Sequence, residues 1–172
     1  YYVMPYVDGE SLRDRLARQG ALPLPDAVRV LREVADALSY AHDQGVVHCD
    51  IKPENILLTR GHAVVADFGI AKAIAAASSG DNGAESSTTI AHTQSGTLVG
   101  TPGYMAPEQA GVWTDVDHRA DLYAWGVVAY ESLTGQHPFG DRRSEAESPS
   151  GQTVEPLRPI RDVTPSVPPS LG

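Results

Sequence analysis

The sequence predicts an α+β fold, mainly helical, with one small sheet, and three observations predict it. From Asp26 to Gln44 the residues Val28, Leu31, Val34, Ala35, Leu38 and Ala41 recur at three- and four-residue steps, the stripe of a core-facing helix. From Leu122 to Leu133, with Trp125, Val128, Ala129 and Tyr130, the chain is apolar almost all round, as a helix buried inside a domain requires. Between them lie only short extended stretches, at 46–47, 56–59 and 63–66, too little for a large sheet.

The elements follow in order. Tyr1 to Val7 reads as a strand, which Asp8 and Gly9 break. Ser11 with Asp14 resembles a capping box ahead of Leu12 and Leu16, so a short helix is expected to end near Gly20. The long helix stops at Gly45. Arg60 and Gly61 supply the turn between the strands at 56–59 and 63–66. Residues 74–97 are Ala, Ser, Thr and Gly with no periodicity, so a mobile loop is expected there. Gly135 ends the apolar helix, and beyond Asp141 the composition turns to Arg, Ser, Glu and Pro and ends in PSVPPSLG, an expected irregular surface tail. No repeat recurs at periods of 20 to 50 residues.

Composition narrows the function classes. Among 172 residues, 41% are hydrophobic and 20% charged, which excludes a disordered acidic chain. Thirteen Lys and Arg against 22 Asp and Glu leave a net charge of −9, which opposes attraction to nucleic acid or anionic lipid. The single cysteine, Cys49, makes an intrachain disulfide or cysteine-based zinc site impossible, and the six histidines lack close metal-ligand spacing. No apolar run approaches the ~20 residues of a membrane span, and the first residues lack the features of a signal peptide, so the expected compartment is cytoplasmic. A chain that opens on a strand without an initiator methionine is expected to be part of a longer protein.

The chemistry concentrates in His48-Cys49-Asp50-Ile51-Lys52-Pro53-Glu54-Asn55, then Asp67-Phe68-Gly69, then Gly100-Thr101 and Ala106-Pro107-Glu108. Taken singly, Asp50, Asn55 and Asp67 also suit turns, since Asx side chains bond their own backbone. Together, in this order and spacing, they resemble the protein kinases, whose motifs run H-R-D-x-x-x-x-N, D-F-G and A-P-E. The wording HCDIKPENILL and ADFGIAKA resembles bacterial-type Ser/Thr members.

The resemblance implies a protein-kinase-like fold in which this chain holds the hinge and most of the helical C-terminal lobe, the N-terminal β-lobe being absent. Residues 1–7 would be the last strand of that lobe and the hinge, residues 8–140 the body of the large lobe, and 141–172 its Pro- and Ser-rich end. Residues 48–55 would form the catalytic loop and 67–108 the activation segment. It implies transfer of the γ-phosphate of ATP to Ser or Thr hydroxyls of a protein substrate. In that reading Asp50 accepts or orients the hydroxyl, Lys52 reaches the phosphate, and Asn55 and Asp67 ligate Mg²⁺. Thr101 hydrogen-bonds near the base and shapes the substrate loop. Met4, Pro5 and Val7 resemble gatekeeper and hinge at the adenine edge, Leu57 the residue beneath adenine, and His48 and Phe68 two members of a hydrophobic spine. Asp121 would cap its helix while holding the His48 loop.

There are departures. Cys49 stands where many kinases have an arginine that receives an activation-loop phosphate, and a thiol makes no such contact; Lys72 is a weaker substitute. The segment 67–108 is long and hydroxyl-rich between Ser78 and Thr97, which suits autophosphorylation or a spacer. Neither the Gly-rich loop nor the phosphate-pairing lysine occurs in these residues, and the expected arginine partner of Glu108 is not reached, so little activity is expected from them alone. The alternatives are a pseudokinase or scaffold that binds without turnover, and, last, a small-molecule phosphotransferase of related fold. A membrane anchor elsewhere in a longer protein is compatible with all of this.

Overall fold

The fold comes from a computed structural model, which describes residues 7–68, 102–110, 116–140, 158–164 and 167–168. The expectations for Met4, Pro5, Gly69, Lys72, the stretch 74–97 and Thr101 lie outside the described residues, as do those for 1–6 and 141–157.

Helix α1, Leu12–Gln19, begins with the expected capping box. Asp14 N–H donates to Ser11 Oγ at 3.1 Å, and Ser11 N–H donates back to the Asp14 carboxylate at 3.4 Å. Helix α2, Leu24–Asp43, starts two residues before the expected Asp26, because Pro25 needs no N–H in a first turn. At its far end Gly45 adopts φ 72°, its N–H reaching His42 O at 2.9 Å and that of Val46 reaching Ala41 O at 2.9 Å. This paired closure satisfies the last carbonyls of the helix. No strand forms at 46–47, where an extended stretch was expected and where the Val46 donor is already used.

A three-stranded antiparallel sheet contains β1, Glu10–Ser11, β2, Ile56–Thr59, and β3, His62–Val65, in that order. Arg60 at φ 48° and Gly61 at φ 84° form the turn between β2 and β3, with positive φ at both central positions matching the strand twist. The register pairs Leu57 with Ser11 on one side and Val64 on the other.

A short helix α3, Pro107–Ala110, precedes α4, Arg119–Thr134, which is buried on several faces. Gly135 closes α4 at φ 70°, where an added Cβ would lie 2.7 Å from Ala21 N. The end of the chain is not wholly irregular. Helix α5, Ile160–Val163, forms there, Thr164 Oγ1 donates to Leu133 O at 3.3 Å, and Val167 is buried. Contact with α4 thus gives structure to a stretch whose composition lacks a pattern of its own.

The main core gathers Leu12 and Leu16 of α1, Val30, Val34 and Leu38 of α2, Ile51, Ile56, and Val127 and Val128 of α4. Trp125 Nε1 donates to Leu31 O at 3.0 Å and locks α4 onto α2. Val28, counted in the apolar stripe, is 45% exposed; its place is taken by Val30, at 1%. Leu122 likewise lies on the solvent side of α4.

Candidate active site

The site starts from a buried carboxylate. Asp121, in the first turn of α4, is fully buried and makes none of its hydrogen bonds to its own helix. Its oxygens accept the N–H of His48 at 2.9 Å, the N–H of Cys49 at 2.7 Å and Nε2–H of His42 at 2.8 Å. Of the two roles expected for Asp121, only that of holding the His48 loop is made. Cys49 sits at φ 65°, a left-handed conformation that costs on the order of 1 kcal/mol or more for a residue with a Cβ. The two N–H bonds to Asp121, short and charge-assisted, hold the chain in that bend.

Beyond the bend, the buried ring of His48 joins two loops. Asp50 N–H donates to His48 Nδ1 at 3.2 Å, so the ring proton is on Nε2, which donates to Ala66 O at 2.9 Å. The Phe68 ring meets His48 edge-on, with centroids 4.7 Å apart. Ala66 N–H donates to Asn55 O at 2.8 Å, tying residues 66–68 to the turn 53–55 from the other side.

Asp50, Lys52 and Asn55 are brought into direct contact. Lys52 Nζ donates to Asp50 Oδ2 at 2.7 Å, and Asn55 Nδ2 donates to Asp50 O at 2.8 Å and to Oδ2 at 3.2 Å. Both side-chain bonds fall on one carboxylate oxygen. Oδ1 takes no hydrogen bond from the described residues. Asp67 stands at φ 62°, exposed, its carboxylate without a hydrogen bond from the described residues. The oxygens of Asp67 and the carbonyl oxygen of Asn55, whose nitrogen is used by Asp50, are hard donors of the kind a Mg²⁺ ion prefers. Among the described residues no group of three His, Cys, Asp or Glu side chains gathers as a metal cluster.

The described residues expected on the adenine side, Val7 and Leu57, are placed less tightly. Leu57 is half-buried in β2, and Val7, also half-buried, precedes Asp8, whose carbonyl accepts from Thr59 Oγ1 at 2.6 Å. Gly9 packs so closely on β2 that a Cβ there would lie 2.3 Å from Leu58 O. These contacts bring the residues after Val7 against the strand that carries Leu57.

Two groups escaped the sequence reading. Gln109 spans two loops, Nε2 donating to Cys49 O at 2.8 Å while Oε1 accepts from Ala106 N–H at 2.9 Å. Arg13 joins Glu54, Tyr104 and Glu131. Neither carries a spacing signal for its contacts across the fold, which span 41 to 118 residues.

A carboxylate beside a lysine and an asparagine, with a second carboxylate on the adjoining loop, offers the types of group that phosphoryl transfer to a hydroxyl uses. The model of the protein kinase domain matches residues 1–167, and the chain belongs to that family. Bacterial serine/threonine kinases are among its relatives. The chain is 40% identical to a probable serine/threonine-protein kinase of Clostridium perfringens, over all of its own length and 23% of the relative's. It is 42% identical to serine/threonine-protein kinase PknB of Mycobacterium leprae over 81% of its length and 20% of the relative's. The corresponding figures for a probable PknB of Bifidobacterium longum are 46%, 81% and 19%. The chain thus spans about a fifth of the length of these relatives. Among solved structures it resembles the kinase domain of Mycobacterium tuberculosis PknI, with a TM-score of 0.62 and 28% identity, over 93% of the chain and 49% of that domain's chain. No helix among the described residues is long and apolar enough to cross a membrane.

Proposed function

We propose that this chain carries the catalytic loop and metal-binding side of a serine/threonine protein kinase that transfers the γ-phosphate of ATP to protein hydroxyls. Residues 8–140 are the body of the large lobe, with 48–55 as catalytic loop and 67–108 as activation segment. Residues 1–7 are the end of an N-lobe strand and the hinge, and 141–172 belong to the Pro- and Ser-rich end of the lobe. The observation that supports this reading best is the Asp50–Lys52–Asn55 contact. Lys52 and Asn55 load Asp50 Oδ2, leaving Oδ1 for the substrate hydroxyl. As the hydroxyl oxygen bonds to the γ-phosphorus and the bond from that phosphorus to the β-bridging oxygen breaks, the proton passes to Asp50. Lys52 stays within reach of the transferring phosphoryl group as a point charge. Mg²⁺, when bound, neutralises charge on the phosphate oxygens, and Asn55 and Asp67 are the residues that would hold it. Val7, Pro5 and Met4 line the adenine edge, Leu57 packs beneath the base, and Thr101 steadies the substrate loop. The cytoplasm suits a chain whose one cysteine is a thiol.

A second reading, a scaffold without turnover, rests on Cys49 in the usual arginine position. The test is transfer of labelled phosphate from Mg-ATP to a generic Ser/Thr protein substrate by the whole protein, beside Asp50→Ala. The variant is expected to lose about 100-fold or more of the rate while still binding ATP, the usual worth of a positioned base. A folded, ATP-binding protein that transfers nothing would establish the scaffold instead.

A further inference from the structure

Arg13, the second residue of α1, reaches three other parts of the fold with one guanidinium. Nε donates to Glu54 Oε1 at 2.8 Å, Nη1 donates to Glu131 Oε1 at 2.8 Å, and Nη2 donates to the Tyr104 hydroxyl. Tyr104 in turn donates to Glu131 Oε2 at 2.5 Å, and the cation stands 5.9 Å from the centre of the Tyr104 ring. Glu54 lies in the turn between Lys52 and Asn55, Tyr104 lies three residues after Thr101, and Glu131 is on α4. The Glu131 side chain is 5% exposed and Tyr104 3%, so much of the cluster is withdrawn from water.

We propose that Arg13 is a positioning residue that holds segment 102–110 in register with the catalytic loop and thereby sets how a peptide substrate is seated. The seating rests on the kinase reading above; the tether does not. Among the described residues, segment 102–110 is also tied to the fold where His137 Nε2 bonds Gly103 O at 3.0 Å, where Gln109 bonds Cys49 O, and where Tyr104 and Ala106 pack into the hydrophobic clusters. Arginine suits the junction because its planar fork donates in three directions at once, whereas an ammonium offers one compact charge. Burial opposes the charged guanidinium, yet the hydrogen bonds to Glu131 and Glu54 outweigh it and hold its pKa above that of an ordinary arginine, so the fork remains charged at every working pH.

The test compares hydrogen exchange of the whole protein with Arg13→Lys and Arg13→Ala, together with steady-state transfer to a Ser/Thr peptide. In Arg13→Lys, amides of 102–110 are expected to exchange about 10-fold faster while α2 and 48–55 keep wild-type protection, as loss of charge-assisted bonds at one junction implies. The KM for peptide is expected to rise about 10-fold with kcat and the KM for ATP within about 2-fold, the pattern of a lost seating contact. Unchanged exchange at 102–110 in a folded variant overturns the proposal. So does an equal rise across α1, α2 and α4, which is the mark of a general loss of stability. If Arg13→Ala does not fold, the lysine variant decides. If the wild-type protein transfers no phosphate, the kinase reading fails, and the exchange pattern alone decides the tether.

Discussion

The carboxylate of Asp121 serves a loop more than 70 residues away in sequence. It replaces water for two backbone N–H groups that the turn at Cys49 would otherwise leave without partners, and a buried polar group without a partner costs about 1–3 kcal/mol. An asparagine there keeps the shape but turns an NH₂ toward a donor and removes the charge. Asp121→Asn is therefore expected to lose about 3 kcal/mol of stability in urea denaturation, with transfer activity falling further than stability accounts for, because Asp50 follows directly on the bend. Cys49 shows why a side chain and its backbone are judged apart. Its N–H and C=O are both used, by Asp121 and Gln109, while its side chain packs against the small cluster of Ala106, Val116 and Ala120. A thiol fits that apolar neighbourhood, whereas an arginine in its place needs an anion there.

At the scale of elements, the β2–β3 hairpin is fastened to α2 through Glu33. Its carboxylate accepts Ala63 N–H at 2.6 Å and His62 Nδ1–H at 3.0 Å. Burial works to raise the Glu33 pKa, but these hydrogen bonds and the nearby charges of His62 and Arg29 prevail and hold it below the usual 4.5. A group depressed in the folded state contributes stability that is present above its unfolded pKa and lost as pH falls through its folded pKa. Glu10, through Arg18 and Arg15, and Asp117, through the N–H and side chain of Arg119, are lowered as well and act in the same direction. The urea midpoint is thus expected to drop as pH falls below about 4.5, and Glu33→Gln should show a shallower drop than the wild type. Equal slopes for the two proteins would mean that the hairpin contact adds nothing to stability.

For the whole molecule the decisive feature is that α1, α2, β2 and α4 share one core. Leu38, 2% exposed, sits within it, and truncating a fully buried leucine costs about 2–5 kcal/mol. Leu38→Ala is expected to destabilise the chain by about that amount, with far-UV circular dichroism and tryptophan fluorescence falling together. With Trp113 replaced by Phe so that Trp125 of α4 is the fluorophore, separate transitions would mean that α4 does not unfold with α2. The same core explains the position of the site. The 48–55 loop leaves it at Ile51, 1% exposed, and returns at Ile56, fully buried, so Lys52 to Asn55 form a short turn pinned at both ends.

Much of this was legible beforehand, for a local reason. A capping box, a glycine at a helix end and a two-residue turn each depend on residues a few positions apart, so Ser11 with Asp14, Gly45, and Arg60 with Gly61 mark their elements without help from the rest of the chain. The order of the Asp50, Asn55 and Asp67 motifs is local in the same sense and was enough to point to the family. What the sequence left open depends on partners brought together only by folding. The two residues of β1 are a strand because β2 lies beside them, no strand forms at Val46, whose N–H Ala41 takes, and Ile160 to Val163 form a turn of helix against α4. Val30 rather than Val28 faces the core because the packing of α4 and β3 decides which side of α2 is covered. Gln109 and Arg13 reach partners 41 to 118 residues away, a separation that carries no period or spacing, and only the tertiary structure decides what they hold.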